Sequence, residues 1–111
     1  MRHLATHTSG LIDFESTLMD TYALSLKPTV ALGRFLQDYY TIEGKHYRKE
    51  NFADVAVEKS YDYGNIASAL AAYIVEQRAN MLFDAFTDKY IFLPLGVTST
   101  HWFFDPMQSK A

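Results

Sequence analysis

Cysteine is absent from the 111 residues, which excludes disulfides, thiolate zinc sites and thiol catalysis. That absence leaves the compartment open. Long apolar runs are missing too: no stretch approaches the ~20 apolar residues of a membrane helix, so no membrane span is expected. The opening residues carry His3, His7, Asp13 and Glu15 and no apolar run, which does not describe a signal peptide; the localisation stays unassigned. Basic residues do not gather into a block and the formal charge is −3, so nothing offers the electrostatic footprint that nucleic acid needs. Internal repeats and low-complexity tracts are absent.

What is present is an ordinary globular mixture, 49% hydrophobic and 21% charged, rather than the composition of a disordered chain. Aromatic residues make up 15%, including 8 Tyr and 8 Phe, so a core or interface rich in rings is expected. The length is that of one domain, and residues 1–111 are read as a single helical domain.

Residues 1–7 read as the end of a helix closed at Gly10, with Leu11 folding back on the last turn. Residues 12–26 look irregular, with Ser, Thr and Asp between apolar positions. Pro28 suits a first helical turn, and behind it Leu32, Phe35, Leu36 and Tyr39 form one stripe at helical spacing, predicting a helix over 28–41 that stops near Gly44. Residues 44–60 are polar and read as a loop. A second helix is predicted over 65–78. Its segment 66–77 is apolar nearly all round, the pattern of a helix buried on most sides. Asn80 suits the left-handed residue that ends it. A third helix over 81–92 would turn Leu82, Phe83, Phe86, Tyr90 and Leu93 inward and Asp84, Asp88 and Lys89 outward, ending at Pro94 and Gly96. The tail His101-Trp102-Phe103-Phe104 reads as a short strand or an extended anchor. The fold class is therefore mainly α.

Few motifs carry chemistry. His3 and His7 stand at i, i+4, a metal-binding spacing, but no further ligand lies near them in sequence; no metal and no cofactor is expected. Ser9, Ser60 and Ser68 would each need a base and an oxyanion hole to act as nucleophiles. No Gly-x-Ser-x-Gly elbow occurs, and no Ser is followed three residues later by Lys, so caps and turn hydroxyls are the expected roles. Tyr63-Gly64-Asn65 stands out more. Its Tyr and Asn lie two apart before an apolar helix and can face one cleft. A Tyr beside a cation shuttles protons, and an Asn offers a donor and an acceptor to an amide or ester.

Order and spacing add a resemblance. Thr6-His7-Thr8-Ser9-Gly10-Leu11 is similar to the Leu-Leu-Thr-His-Thr-Ser-Gly-Leu stretch of β-lactamase-related serine hydrolases, the superfamily of class C β-lactamases, penicillin-binding proteins and esterases. Tyr63-Gly64-Asn65 followed by Ala69-Leu70-Ala71-Ala72-Tyr73-Ile74-Val75-Glu76 resembles that family's Tyr-Ser-Asn and the helix behind it. Phe92-Leu93-Pro94-Leu95-Gly96-Val97-Thr98-Ser99-Thr100 resembles its Pro-Leu-Gly-Met block, and His101-Trp102-Phe103 continues the match. The blocks keep the family's order across nearly the whole chain.

The resemblance implies the helical subdomain of the β-lactamase and penicillin-binding transpeptidase-like fold, without its α/β domain. In complete relatives a Ser of Ser-x-x-Lys attacks an acyl group, and the Lys and the Tyr of Tyr-x-Asn manage its proton. A later Lys-Thr-Gly strand lines the oxyanion region. Carried over, Tyr63 is the proton-handling Tyr, and Asn65 contacts the Lys and the acyl side chain; no other residue inherits a catalytic role. Family members are often periplasmic or secreted. Departures are visible: Gly64 stands for the usual Ser, Ala72 for Gly, and Arg78-Ala79-Asn80 for Val-Thr-Gly. Ser-x-x-Lys would precede Thr6 and Lys-Thr-Gly would follow Trp102, and neither occurs; Lys59-Ser60-Tyr61 is not that motif.

The expectation is thus a helical region of a serine hydrolase, a remnant or one part of a split protein, inactive alone. Rival expectations are a small binding module using the cleft face at Tyr63 and Asn65, or an enzyme completed in trans. The apolar helix after Asn65 and the tail Trp102-Phe103-Phe104 predict an apolar face covered by a second copy or by a partner chain.

Overall fold

The computed structural model describes residues 1–21 and 28–103. Its helices are α1 (Arg2–Ala5), α2 (Glu15–Thr21), α3 (Leu32–Tyr40), α4 (Asn65–Ala79) and α5 (Phe83–Thr87). A 3₁₀ turn lies at Lys49–Asn51, and α5 runs on into a π turn at Asp88–Phe92. Among the described residues there is no strand, only an isolated antiparallel bridge between Leu11 and Phe52. The described residues are mainly α, as the sequence predicted.

α4 is the central element, packed against α1, α3 and α5. The stripe on α3 does what its spacing predicted: Leu36 and Tyr39 are buried with Ile66 of α4, and Leu32 and Phe35 pack around them beside Leu18, Leu70 and Tyr73. Gly33 permits the close approach of the two helices, since a Cβ there would sit 2.6 Å from the Tyr73 ring.

Several expectations are corrected. α1 ends at Ala5, not at Gly10. His7 takes a left-handed backbone with φ 55°, and Gly10, φ 77°, belongs to a later turn. Leu11 pairs with Phe52 in an isolated antiparallel bridge. Residues 12–26 are not wholly irregular, because Glu15–Thr21 is helical. Buried Thr17 and half-buried Leu18 face the core there, an apolar face too short to read through the Ser and Thr around it. Pro28 lies outside α3, which begins after Ala31 in an extended conformation (φ −61°, ψ 141°). α4 and its left-handed Asn80 (φ 50°, ψ 44°) match expectation. Its burial does not: only Ile66 and Ala67 are fully covered. A helix of 15 residues outruns the 4 of α1, the 9 of α3 and the 5 of α5.

The third helix is split. Leu82 is its extended N-cap, and its first free N–H, that of Phe83, is bound by the Glu76 carboxylate at 2.9 Å. Phe83 and Phe86 are half-buried as expected. Leu82, Tyr90 and Leu93 are exposed, because among the described residues no layer lies on that side. The tail is an anchor rather than a strand. The Trp102 indole N–H donates to Thr87 Oγ1 at 2.7 Å, and its ring stands edge-on to Phe83 at 5.1 Å. Phe104, with residues 22–26 of the stretch read as irregular, lies outside the described residues.

Candidate functional site

The stretch from His7 to Phe14 is the spine of the molecule. The polar segment that follows α3 folds along it through backbone bonds: Ile12 N–H to Asn51 O (2.9 Å), Ala53 N–H to Gly10 O (2.8 Å), Glu58 N–H to Thr8 O (2.9 Å) and Asp62 N–H to His7 O (2.9 Å). Asn51 locks this segment to α3. It is wholly buried, and its Nδ2 donates to the carbonyls of Tyr39 (2.9 Å) and His46 (3.1 Å). Tyr39 locks the spine from the other side: its hydroxyl donates to Ile12 O at 2.6 Å and accepts from Phe14 N–H at 2.8 Å.

The spine also fixes the Tyr63-Gly64-Asn65 turn. The Gly64 N–H donates to His7 Nδ1 at 3.2 Å. Because Nδ1 accepts, a neutral His7 in this geometry carries its proton on Nε2. Asp13 holds the next residues: Oδ2 accepts from Asn65 N–H (2.6 Å) and from Asn65 Nδ2 (3.1 Å), and Oδ1 accepts from Ile66 N–H (3.0 Å). These N–H groups are the orphan donors at the start of α4, and a carboxylate there is favoured by the helix dipole. The cap of α4 thus comes from more than 50 residues away in sequence, with separations of 52 and 53.

Tyr63 projects outward from this clamp. It is 60% exposed, and its ring lies 4.4 Å from that of His7, which also meets Tyr61 edge-on at 5.9 Å. Among the described residues its hydroxyl has no hydrogen-bond partner and no cation stands against its ring. Gly64 is extended (φ −130°, ψ 118°), so its lack of a side chain reflects space: a Cβ would stand 3.2 Å from that of Ala67. Tyr63 and Asn65 therefore flank one clamped turn; the hollow between α3 and α4 takes in neither of them. What sequence reading missed is the clamp, His7 and Asp13. Asp13 gives no local signal, because its partners are distant along the chain.

The other candidates have structural partners. His3 and His7 do not share a helix face, since α1 ends between them. His3 Nδ1 lies 3.4 Å from Thr8 Oγ1 and 3.6 Å from the Glu58 carboxylate, which also faces Arg2 at 3.9 Å. Ser9 Oγ accepts from Leu11 N–H at 3.3 Å, Ser68 Oγ donates to Gly64 O at 2.9 Å, and Ser60 is exposed. Among the described residues no group of His, Asp and Glu is placed to hold a metal ion. None of the helices is long and apolar enough to cross a membrane. A hollow between α3 and α4, walled by Leu36, Tyr40, Phe52, Leu70 and Tyr73, holds no charged side chain and does not include Tyr63 or Asn65.

A family model described as Beta-lactamase matches residues 1–111. No curated protein and no solved structure matches the chain.

Proposed function

Since the chain belongs to the β-lactamase family, we propose that it is the helical region that presents Tyr63 and Asn65, and that alone it is catalytically inactive. The observation that carries this reading is the clamp. His7 and Asp13 fix the turn between the two residues, and the Tyr63 side chain is left exposed. Tyr63 is the proton-handling residue of this proposal and Asn65 the one that meets a donor and an acyl side chain. The group they would serve, a Ser with a Lys three residues on, does not occur within these residues. Removing nucleophile and base from such a site leaves only modest rate enhancement.

The same proposal includes self-association. The described residues bury few apolar side chains completely, namely Leu4, Leu36, Tyr39, Ile66 and Ala67. Leu82, Tyr90, Ile91, Leu93 and Leu95 stand exposed in the stretch that follows α4. A second copy would cover them.

The experiment is incubation of the purified chain with a chromogenic ester and a chromogenic cephalosporin. No turnover above background is expected. Turnover that survives purification and vanishes on replacing a single Ser would overturn the reading.

A further inference from the structure

We propose that Asp13 is a positioning residue for Asn65: its Oδ2 holds the side-chain amide with Nδ2 turned inward, so that Oδ1 is the atom offered to a bound donor group. The inference rests on the reading of Asn65 as a site residue.

The chemistry decides the orientation. An ionised carboxylate accepts and cannot donate, so only the NH₂ end of the amide can face it. A flipped amide would set Oδ1 against Oδ2 at the 3.1 Å that now separates Nδ2 and Oδ2, an unsatisfied pair of acceptors. The carboxylate cannot turn away to relieve this. Its Oδ2 is also bound by Asn65 N–H at 2.6 Å, and its Oδ1 by Ile66 N–H at 3.0 Å. The peptide before Asn65 is held as well, by the bond from Gly64 N–H to His7 Nδ1 at 3.2 Å. Backbone and side chain of Asn65 are thus fixed by the same group. Asn65 Oδ1 has no partner among the described residues. As an acceptor it takes an ammonium or an amide N–H. The negative charge of Asp13 behind the amide favours the ammonium of the two.

Capping alone would fix only the backbone of α4, which is what separates the two roles by experiment. In the ¹⁵N-labelled chain, NMR relaxation of the Asn65 side-chain amide should give an order parameter close to the ~0.85 of rigid backbone. Asp13→Asn keeps an oxygen for Ile66 N–H but places an NH₂ group opposite both the Asn65 backbone N–H and Asn65 Nδ2. The side-chain order parameter is expected to fall below ~0.6 while the backbone amides of α4 from Ile66 onward keep theirs. Equal side-chain order in the variant would overturn the proposal. So would a side-chain amide already mobile in the unaltered chain, a result that stands even where the variant fails to fold. Hydrolysis by the isolated chain would overturn the reading of the site as inactive without touching these values, so the two failures are distinguishable.

Discussion

Two adjacent tyrosines have opposite energetics. Tyr39 and Tyr40 stand edge-on at 4.9 Å. The Tyr39 hydroxyl joins Ile12 O and Phe14 N–H, so Tyr39→Phe leaves two backbone groups without that partner and should cost about 1–3 kcal/mol. The Tyr40 hydroxyl is buried and has no partner among the described residues, so Tyr40→Phe should be neutral or stabilising. Urea denaturation of the two variants checks the contrast, and equal losses would contradict it. Both hydroxyls also have raised pKa values: for Tyr39 through burial first, opposed by the bond from Phe14 N–H, and for Tyr40 through burial and then its neighbour Tyr39. The unfolded chain ionises these groups near ~10, so the fold favours their neutral form. That stabilisation is fully present below about pH 10 and is lost as the pH rises through the folded-state values. Stability should therefore fall above pH ~10, and fall less steeply in Tyr40→Phe.

α3 and α4 were legible because their apolar positions are many and regularly spaced. Leu32, Phe35, Leu36 and Tyr39 all reach the core, and Asn80 ends α4 in the left-handed region. α2 was not legible, since only Thr17 and Leu18 of its 7 residues face inward. The inward set on the third helix was misread for a different reason. Periodicity reports an apolar face, not whether anything lies against it, and Leu82, Tyr90 and Leu93 meet solvent. Of the candidate site, the turn at Tyr63 and Asn65 was legible from residue type and spacing. Asp13 and buried Asn51 were not, because long-range polar contacts leave no period in a sequence. The α3–α4 contact can be tested at Gly33, where an added Cβ would stand 2.6 Å from the Tyr73 ring. Overpacking costs about 1–3 kcal/mol, while Gly→Ala inside a helix gains about 1 kcal/mol. Gly33→Ala should thus leave stability unchanged or reduced. In a Tyr73→Ala background, where the clash is gone, the same change should stabilise by about 1 kcal/mol. A stabilising Gly33→Ala in the unaltered chain would contradict the close approach.

At the scale of the whole molecule, a spine near the start of the chain carries both core contacts and the candidate site. His7 to Phe14 binds the segment after α3, the Tyr39 hydroxyl and the start of α4. The clamp on Tyr63 and Asn65 is therefore continuous with the core contacts. Most of α4 is half-buried, and beyond it Leu82, Tyr90, Ile91, Leu93 and Leu95 stay exposed. Self-association follows on this account: light scattering at low micromolar concentration should give a mass above the 12.7 kDa of one chain. A concentration-independent monomer that binds no hydrophobic dye would contradict it. The central claim, a presented site without a nucleophile, is tested most directly by covalent labelling, because a slow enzyme can hide from a turnover assay yet still keep its acyl group. Incubate the chain with a penicillin and an activated ester and record the intact mass. The account predicts an unchanged mass. A stoichiometric acyl adduct on one Ser, lost on replacing that Ser or Tyr63, would contradict it.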